Sequence, residues 1–338
     1  MNERIFPVGK LNMDYLGDLL SRYVQRDSRV VVGAQVGEDA AVIDFGDRYL
    51  VAKTDPITFA TDQIGWYAVQ VNANDLATSG ATPRWLLVTL LLPEGRTTRE
   101  LVERIFQQIH EACQELGIAL VGGHTEVTYD LSRPIVVGQL LGEVEKGKLV
   151  TTGGAQVGDD IILAKGIAIE GTSIIARERA TDLRQRGYSE EWIARAQRYL
   201  YQPGISVLRE AQLAIATAPV HAMHDPTEGG LATALNELAF AARAGLWVER
   251  DKIPVLAECA ELCALYGLDP LGVIASGALI LTIAPQDSLR LLEAYRQVAI
   301  PAAVIGRVVP AEEGIKMRTQ EGVSALPRFD QDEISRLF

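Results

Sequence analysis

The texture of the chain changes near residue 150, and that break limits what it can fold into. Before it, residues 41–43 and 49–53 read as strands, 62–79 as a helix ended by Gly80, and 84–92 as a long apolar strand stopped by Pro93. The next helix carries Leu101, Ile105, Ile109, Ala112 and Leu116 on one face, and Thr97 with Glu100 predicts its capping box. A short strand then leads to a glycine turn at 122–125, and 134–144 reads as another strand. The first thirty residues read as a helix from the spacing of Leu16, Leu19, Leu20 and Tyr23. After the break, a small-residue turn at 151–154 introduces a strand at 161–164. Helices near 173–186, 189–201, 205–217, 228–244, 255–266 and 286–298 follow, with strands near 246–250, 277–283 and 302–309 among them. This mixture predicts an α+β protein of two domains, 1–150 and 151–338, each a sheet covered by helices. The boundary falls between 145 and 158.

Of the 338 residues 48% are hydrophobic, enough to offset chain entropy, which excludes a disordered tail-like protein. The net charge of −12 argues against nucleic acid or an anionic membrane as the main partner. No stretch approaches the roughly 18 unbroken apolar residues of a membrane span. The first residues, Met1 to Pro7, contain no apolar signal core, so a cytoplasmic protein is expected. No Gly-x-Gly-x-x-Gly opens a helix and no Walker-type Gly-Lys-Ser/Thr occurs, which sets a doubly wound dinucleotide fold aside.

Four acidic clusters stand at turns or helix ends: Gly37-Glu38-Asp39, Lys53-Thr54-Asp55-Pro56, Asn72-Ala73-Asn74-Asp75, and His224-Asp225-Pro226-Thr227-Glu228-Gly229-Gly230. Taken singly, Asp39 and Asp55 suit turns, and Thr227 suits a helix N-cap. Asp75 resists that reading, because Asn and Asp are poor helix formers inside an apolar helix. Were several of these carboxylates to converge, each pair about 4 Å apart would repel by about 4 kcal/mol at an effective dielectric near 20. Only protonation or a cation relieves that, and all-oxygen ligands favour a hard ion such as Mg²⁺ bridging to substrate phosphates. Gly122-Gly123 and Gly229-Gly230 are the candidates for close phosphate approach. Such a set outlines a phosphoryl-transfer site.

His221 and His224 form a His-x-x-His pair without a third ligand for zinc, and His110 lies on a polar helical face. His124, in the glycine turn, is the histidine expected to function. Cys259 and Cys263, four apart, read as small core residues, and no cysteine lies near a plausible base.

Gly37-Glu38-Asp39-Ala40-Ala41-Val42 resembles the Gly-Asp-Asp-Ala-Ala-Val motif of the aminoimidazole ribonucleotide (AIR) synthetase superfamily. Asn74-Asp75-Leu76-Ala77 looks like its Asn-Asp-Leu-Ala helix, and Gly122-Gly123-His124-Thr125 like its Gly-Gly-x-Thr turn. Asp225-Pro226-Thr227-Glu228-Gly229-Gly230 is similar to its second-domain motif, continued by Asn236-Glu237. The overall look is that of the hydrogenase-maturation HypE branch. The resemblance implies an N-terminal domain that pairs with its twin into a barrel-like homodimer, and a C-terminal α/β domain. It implies ATP and Mg²⁺ in a cleft lined by the acidic motifs, and phosphorylation of an oxygen of a small or peptide-borne acceptor. Asp39, Asp75 and Asp225 would hold the metal, with Asp55 assisting. Lys53, Thr54, Asn74, Gly122, Gly123, Thr125, Thr227, Gly229 and Gly230 would hold the nucleotide, and His124 and Asp225 would act in catalysis. Strands 84–92 and 134–144 are expected to pair across the two-fold.

The departures are specific. HypE ends in Pro-Arg-Ile-Cys, whose cysteine carries the carbamoyl group, whereas no cysteine follows Cys263 here, so cyanide-ligand synthesis by that route is not expected. Its Gly-Asp-Thr-Lys becomes Gly123-His124-Thr125-Glu126. Its Arg-Asp-Pro-Thr-Arg becomes His224-Asp225-Pro226-Thr227-Glu228. The alternative these changes support is a non-catalytic ATP-binding or adaptor protein with the same fold; a metal-dependent hydrolase would need both His221 and His224.

Overall fold

The computed structural model describes residues 6, 11, 13–25, 27–35, 37–58 and 62–337, with the backbone alone at 13 and 14. The expected N-terminal helix is present as α1 (Met13–Tyr23); residues 1–5, 7–10, 12 and 26 of the predicted span lie outside the described residues.

The first sheet contains β1 (Val30–Val32), β2 (Ala41–Asp44), β3 (Arg48–Ile57), β4 (Thr82–Pro93), β5 (Ala119–Thr128) and β6 (Ile135–Glu145). Their order is β1-β2-β3-β6-β4-β5, antiparallel except for the β4–β5 pair. Two helices cover it, α2 (Ile64–Thr78) and α3 (Arg99–Leu116). Gly138 and Gly142 of β6 let α2 lie close. A Cβ at Gly138 would stand 2.5 Å from the Asn72 amide nitrogen, and one at Gly142 would stand 2.7 Å from Leu76. The α3 cap is Thr98, one residue later than expected: its hydroxyl accepts from Leu101 N–H, while Thr97 donates to the Pro93 carbonyl.

The second sheet runs β13-β12-β9-β11-β7-β10-β8. Its strands are β7 (Asp160–Ala164), β8 (Val220–His224), β9 (Gly245–Glu249), β10 (Leu279–Ile283), β11 (Ala302–Val309), β12 (Ile315–Thr319) and β13 (Gly322–Ala325). The alternation of β7 and β10 feeds two cores. Ile161, Leu163 and Ile280 pack with α8 (Gly230–Ala242), while Ile162, Leu279 and Leu281 pack with α7 (Leu208–Thr217) and α10 (Pro285–Gln297). A further layer joins α4 (Ile169–Glu178), α5 (Ala180–Gln185), α6 (Glu190–Gln197) and α9 (Ala257–Tyr266), and buries Cys259 and Cys263 among apolar side chains.

Two expectations are corrected here. Residues 84–92 and 134–144 fall in β4 and β6, which are interior strands with neighbours on both sides, so neither offers an edge to a second copy. The edges of that sheet are β1 and β5. Residues 122–125 form no turn; they lie in β5, which is exposed along nearly its whole length. Between the sheets, β6 ends at Glu145 and β7 begins at Asp160, yet the cores cross that gap. Ile169, Tyr199, Leu200 and Ile205 pack into the first-sheet core, and Ala77 packs into a core of the second. Among the described residues no helix is long and apolar enough to cross a membrane.

Candidate functional site

Helix α2 is apolar almost all round and buried along its length, so its polar residues must find partners inside the protein. Asn72 ties it to β3, accepting from the Asp55 N–H at 3.0 Å and donating to the Ala68 carbonyl. Asn74, fully buried, donates to the Ile205 carbonyl at 2.8 Å and accepts from Val207 N–H at 2.9 Å. Both ends of the amide are thereby engaged by backbone of the second half. Asp75, on the same helix, reaches the cleft between the two sheets.

Four acidic segments meet at this cleft. Lys53 on β3 lies 3.1 Å from Asp75 and 3.4 Å from Asp55, both ion pairs. Asp39, in the turn before β2, meets His224 Nδ1 at 2.9 Å, and Glu237 of α8 meets His224 Nε2 at 2.9 Å. Glu38 accepts from the Thr152 and Gly153 amides, so the small-residue turn at 151–154 cradles an acid of the chain itself. Ligand atoms of Asp39, His224 and Asp225 lie within 4.8 Å of one another.

The charges are only half balanced. Burial is the main force pushing the Asp75 carboxyl far above the usual range; Lys53 opposes it, while Asp225, Asp39 and Asp55 add to it. Asp225 is pushed up to about 7, by burial first and then by Asp39, against the pull of His224 and Lys53. Burial works against charge on Lys53 and His224, but the surrounding carboxylates outweigh it and raise both. Both Asp225 oxygens are buried without a hydrogen-bond partner, an arrangement that costs several kcal/mol if left ionised and unmet. This donor set fits a hard divalent cation: carboxylate oxygens from three elements, two of them with open lone pairs.

The histidines resolve clearly. His221 pairs with Asp159 at 2.9 Å. Both nitrogens of His224 are engaged by carboxylates, so the His-x-x-His pair provides no zinc site. Instead, protonated His224 braces Asp39 against Glu237. Glu237 is the participant least apparent from sequence, its one signal being its place in Asn236-Glu237.

Several expected residues do something else. His124 and Thr125 are exposed on β5, and His124 pairs with Glu126 at 3.1 Å, away from this cluster within one chain. At Gly123 (φ 146°) a Cβ would stand 1.9 Å from the Val88 carbonyl oxygen, so glycine is required there for the strand approach. Gly122 shares that exposed strand. Thr54 donates to the Gly138 carbonyl at 2.9 Å. The Thr227 carbonyl accepts from Gly230 and Ala275 N–H groups, and Gly229 N–H is taken by Asp332 at 2.8 Å. At Gly230 a Cβ would stand 2.5 Å from the Leu271 carbonyl oxygen, which is a packing reason for glycine.

Two sheets sharing a carboxylate-lined cleft define the class: the chain belongs to the AIR synthase related proteins, residues 37–144 matching the family's N-terminal domain and 156–317 its C-terminal domain. Within that family it is similar to hydrogenase-maturation proteins. A Methanocaldococcus jannaschii protein, provisionally named for hydrogenase expression and formation, is 30% identical over 322 residues, covering 93% of this chain and 92% of its own. The carbamoyl dehydratase HypE of Rhodobacter capsulatus is 30% identical over 327 residues, covering 93% and 91%. A solved structure of HypE in complex with ATP is 26% identical with a TM-score of 0.71, covering 88% of this chain and 89% of that one.

Proposed function

We propose that this protein is an ATP-dependent enzyme that transfers phosphate to an oxygen of a small or peptide-borne acceptor, with Asp39, Asp75 and Asp225 holding Mg²⁺ and Asp55 assisting. The observation that carries this reading is Asp225, whose two buried oxygens have no partner. It stands beside Asp39 and within the field of Asp75. A similar chain that binds ATP in the same fold supports it. The cation would neutralise the cluster and polarise the phosphate oxygens. Lys53 keeps Asp75 and Asp55 oriented and remains cationic, available to a phosphate oxygen. His224 fixes Asp39 toward the cleft, and supplies the positive charge that arginine supplies in the HypE motif. Glu126 and Glu228 reverse charge at two HypE motif positions, which supports the adaptor alternative.

We also propose a homodimer through β5, an exposed edge strand carrying Leu120, Val121 and Val127 at 43–56% exposure. Sedimentation that stays monomeric at every concentration would reject it.

The test of the site is a set of thermal melts with Mg²⁺, ATP, both and neither. Mg²⁺ and ATP together should add about 2.7 kcal/mol at roughly 100 times the dissociation constant, and either alone little. Asp39→Asn with Asp225→Asn should erase that synergy while the fold stays intact. Equal shifts in parent and variant would mean the carboxylates do not hold the metal. Turnover of ATP with an acceptor then separates an enzyme from an ATP-binding adaptor.

A further inference from the structure

A second acidic cluster lies beyond Asp225, where the loop at 227–230 meets the start of α4 and the C-terminal segment. Backbone hydrogen bonds tie these parts together: Gly171 N–H donates to the Ile274 carbonyl, and Ala275 N–H donates to the Thr227 carbonyl. Asp332 accepts from Gly229, Ile274 and Ile334 N–H groups at 2.8, 3.2 and 3.0 Å, so its carboxylate is locked in place. Glu170, in the first turn of α4, is 6% exposed, and its Oε2 has no hydrogen-bond partner. Burial raises the Glu170 carboxyl to about 7, a hydrogen bond from Ser276 opposes this, and the charges of Asp332 and Glu228 add to it. Among the described residues no base forms an ion pair with Glu170, Glu228 or Asp332. Arg177, on the same helix, is committed to Asp62.

A helix N-terminus accommodates an acid, which would account for Glu170 alone. It does not account for an unmatched buried oxygen set against two further acids. Nor do the three carboxylates make a second metal centre. Among the described residues the acid and histidine side chains whose ligand atoms gather within 4.8 Å are Asp39, His224 and Asp225, not these three. Acceptors on three separate segments suit a ligand that spreads several N–H donors among them.

We infer that Glu170, Glu228 and Ser276, with the fixed charge of Asp332, form the acceptor subsite and select a substrate carrying a protonated nitrogen, an ammonium or amidinium group, beside the oxygen that is phosphorylated. This rests on the phosphoryl-transfer reading for its neighbour at Asp225. It also accounts for Glu228, since the HypE motif has arginine where this chain has an acid, and the charge favoured there is reversed.

The experiment is calorimetric titration of the full chain at neutral pH with glycinamide, with its uncharged counterpart acetamide, and with Mn²⁺ alone. Mg²⁺-ATP binding is measured separately on the same samples. Glycinamide should bind about ten times more tightly than acetamide, and Glu170→Gln and Glu228→Gln should each remove about that factor. Neither substitution should alter Mg²⁺-ATP binding. Glu170→Gln should raise the melting midpoint, because a residue kept for a ligand and not for the fold leaves its charge unmet in the free protein. Equal binding of glycinamide and acetamide overturns the inference, as does glycinamide binding untouched by both substitutions. Mn²⁺ binding lost in Glu170→Gln would make the cluster a metal site and also overturns it. Failure of the parent to bind Mg²⁺-ATP would sink the phosphoryl-transfer reading while leaving the amine preference readable.

Discussion

At Asp39, Asp75 and Asp225 the protein sets Lys53 and His224 among the carboxylates, whereas at Glu170, Glu228 and Asp332 it supplies a serine hydroxyl and backbone amides. In both clusters burial raises two of the acids, Asp75 and Asp225 in the first and Glu170 and Asp332 in the second. The first is a framework that must persist without ligand, since Asp39 and His224 join opposite sheets across the cleft. The second is braced at Asp332 by three backbone amides and at Glu170 by the Ser276 hydroxyl, with no ion pair among the described residues. Positive charge fixed by the chain keeps a site assembled; positive charge left out reserves a place for something that brings its own.

Removing a base should break this comparison most visibly. Lys53→Met strands Asp75 and Asp55 and should cost about 3–5 kcal/mol in urea denaturation, much of it recovered when Asp75→Asn is added. A neutral effect would mean that the carboxylates are already protonated and need no brace. At the other cluster the sign reverses. Glu170 binds its proton more tightly folded than unfolded, so from pH 4.5 to about 7 the folded state holds more protons. Stability therefore falls as pH rises through that window and is level above it. Glu170→Gln should remove this slope, gaining up to roughly 3 kcal/mol at pH 8 and almost nothing near pH 4. A loss at pH 8 would make Glu170 structural.

Two uncharged positions sharpen the contrast, because their effects should not follow either cluster's titration. Asn74→Ala leaves the Ile205 carbonyl and Val207 N–H without partners, at about 2 kcal/mol. Thr98→Ala removes the α3 cap at about 1 kcal/mol. Both losses should be nearly the same at pH 6 and pH 8 in matched melts.

Much of this is legible in the chain itself. The motif around Asp225 and the awkward Asp75 in an apolar helix mark the cleft, and β11 falls at 302–309 as its pattern predicts. What the sequence hides is partnership. Nothing local distinguishes Asn74, which is spent on backbone 131 residues away, from Asp75 beside it, which reaches the cleft. Gly122-Gly123 reads as a phosphate turn because glycine permits both a turn and a close strand approach, and only the proximity of Val88 decides between them. The strands β8, β12 and β13 escape the sequence pattern, β13 because it is exposed throughout and so shows no alternation. Glu170 is invisible, since an acid in a first helical turn is ordinary until its neighbours are known.

The Asn74 clip also bears on how such a protein can be taken apart or recombined. Its amide bonds reach from the first half to backbone 205–207 of the second, while Ile205 and Leu200 complete the first half's core. A fragment cut near residue 150 would expose apolar surface and leave a buried amide unmet, so neither half is a self-sufficient module. Swapping one whole half between lineages would have to carry the matching 199–207 segment with it. The two halves are therefore expected to have been inherited as a single piece.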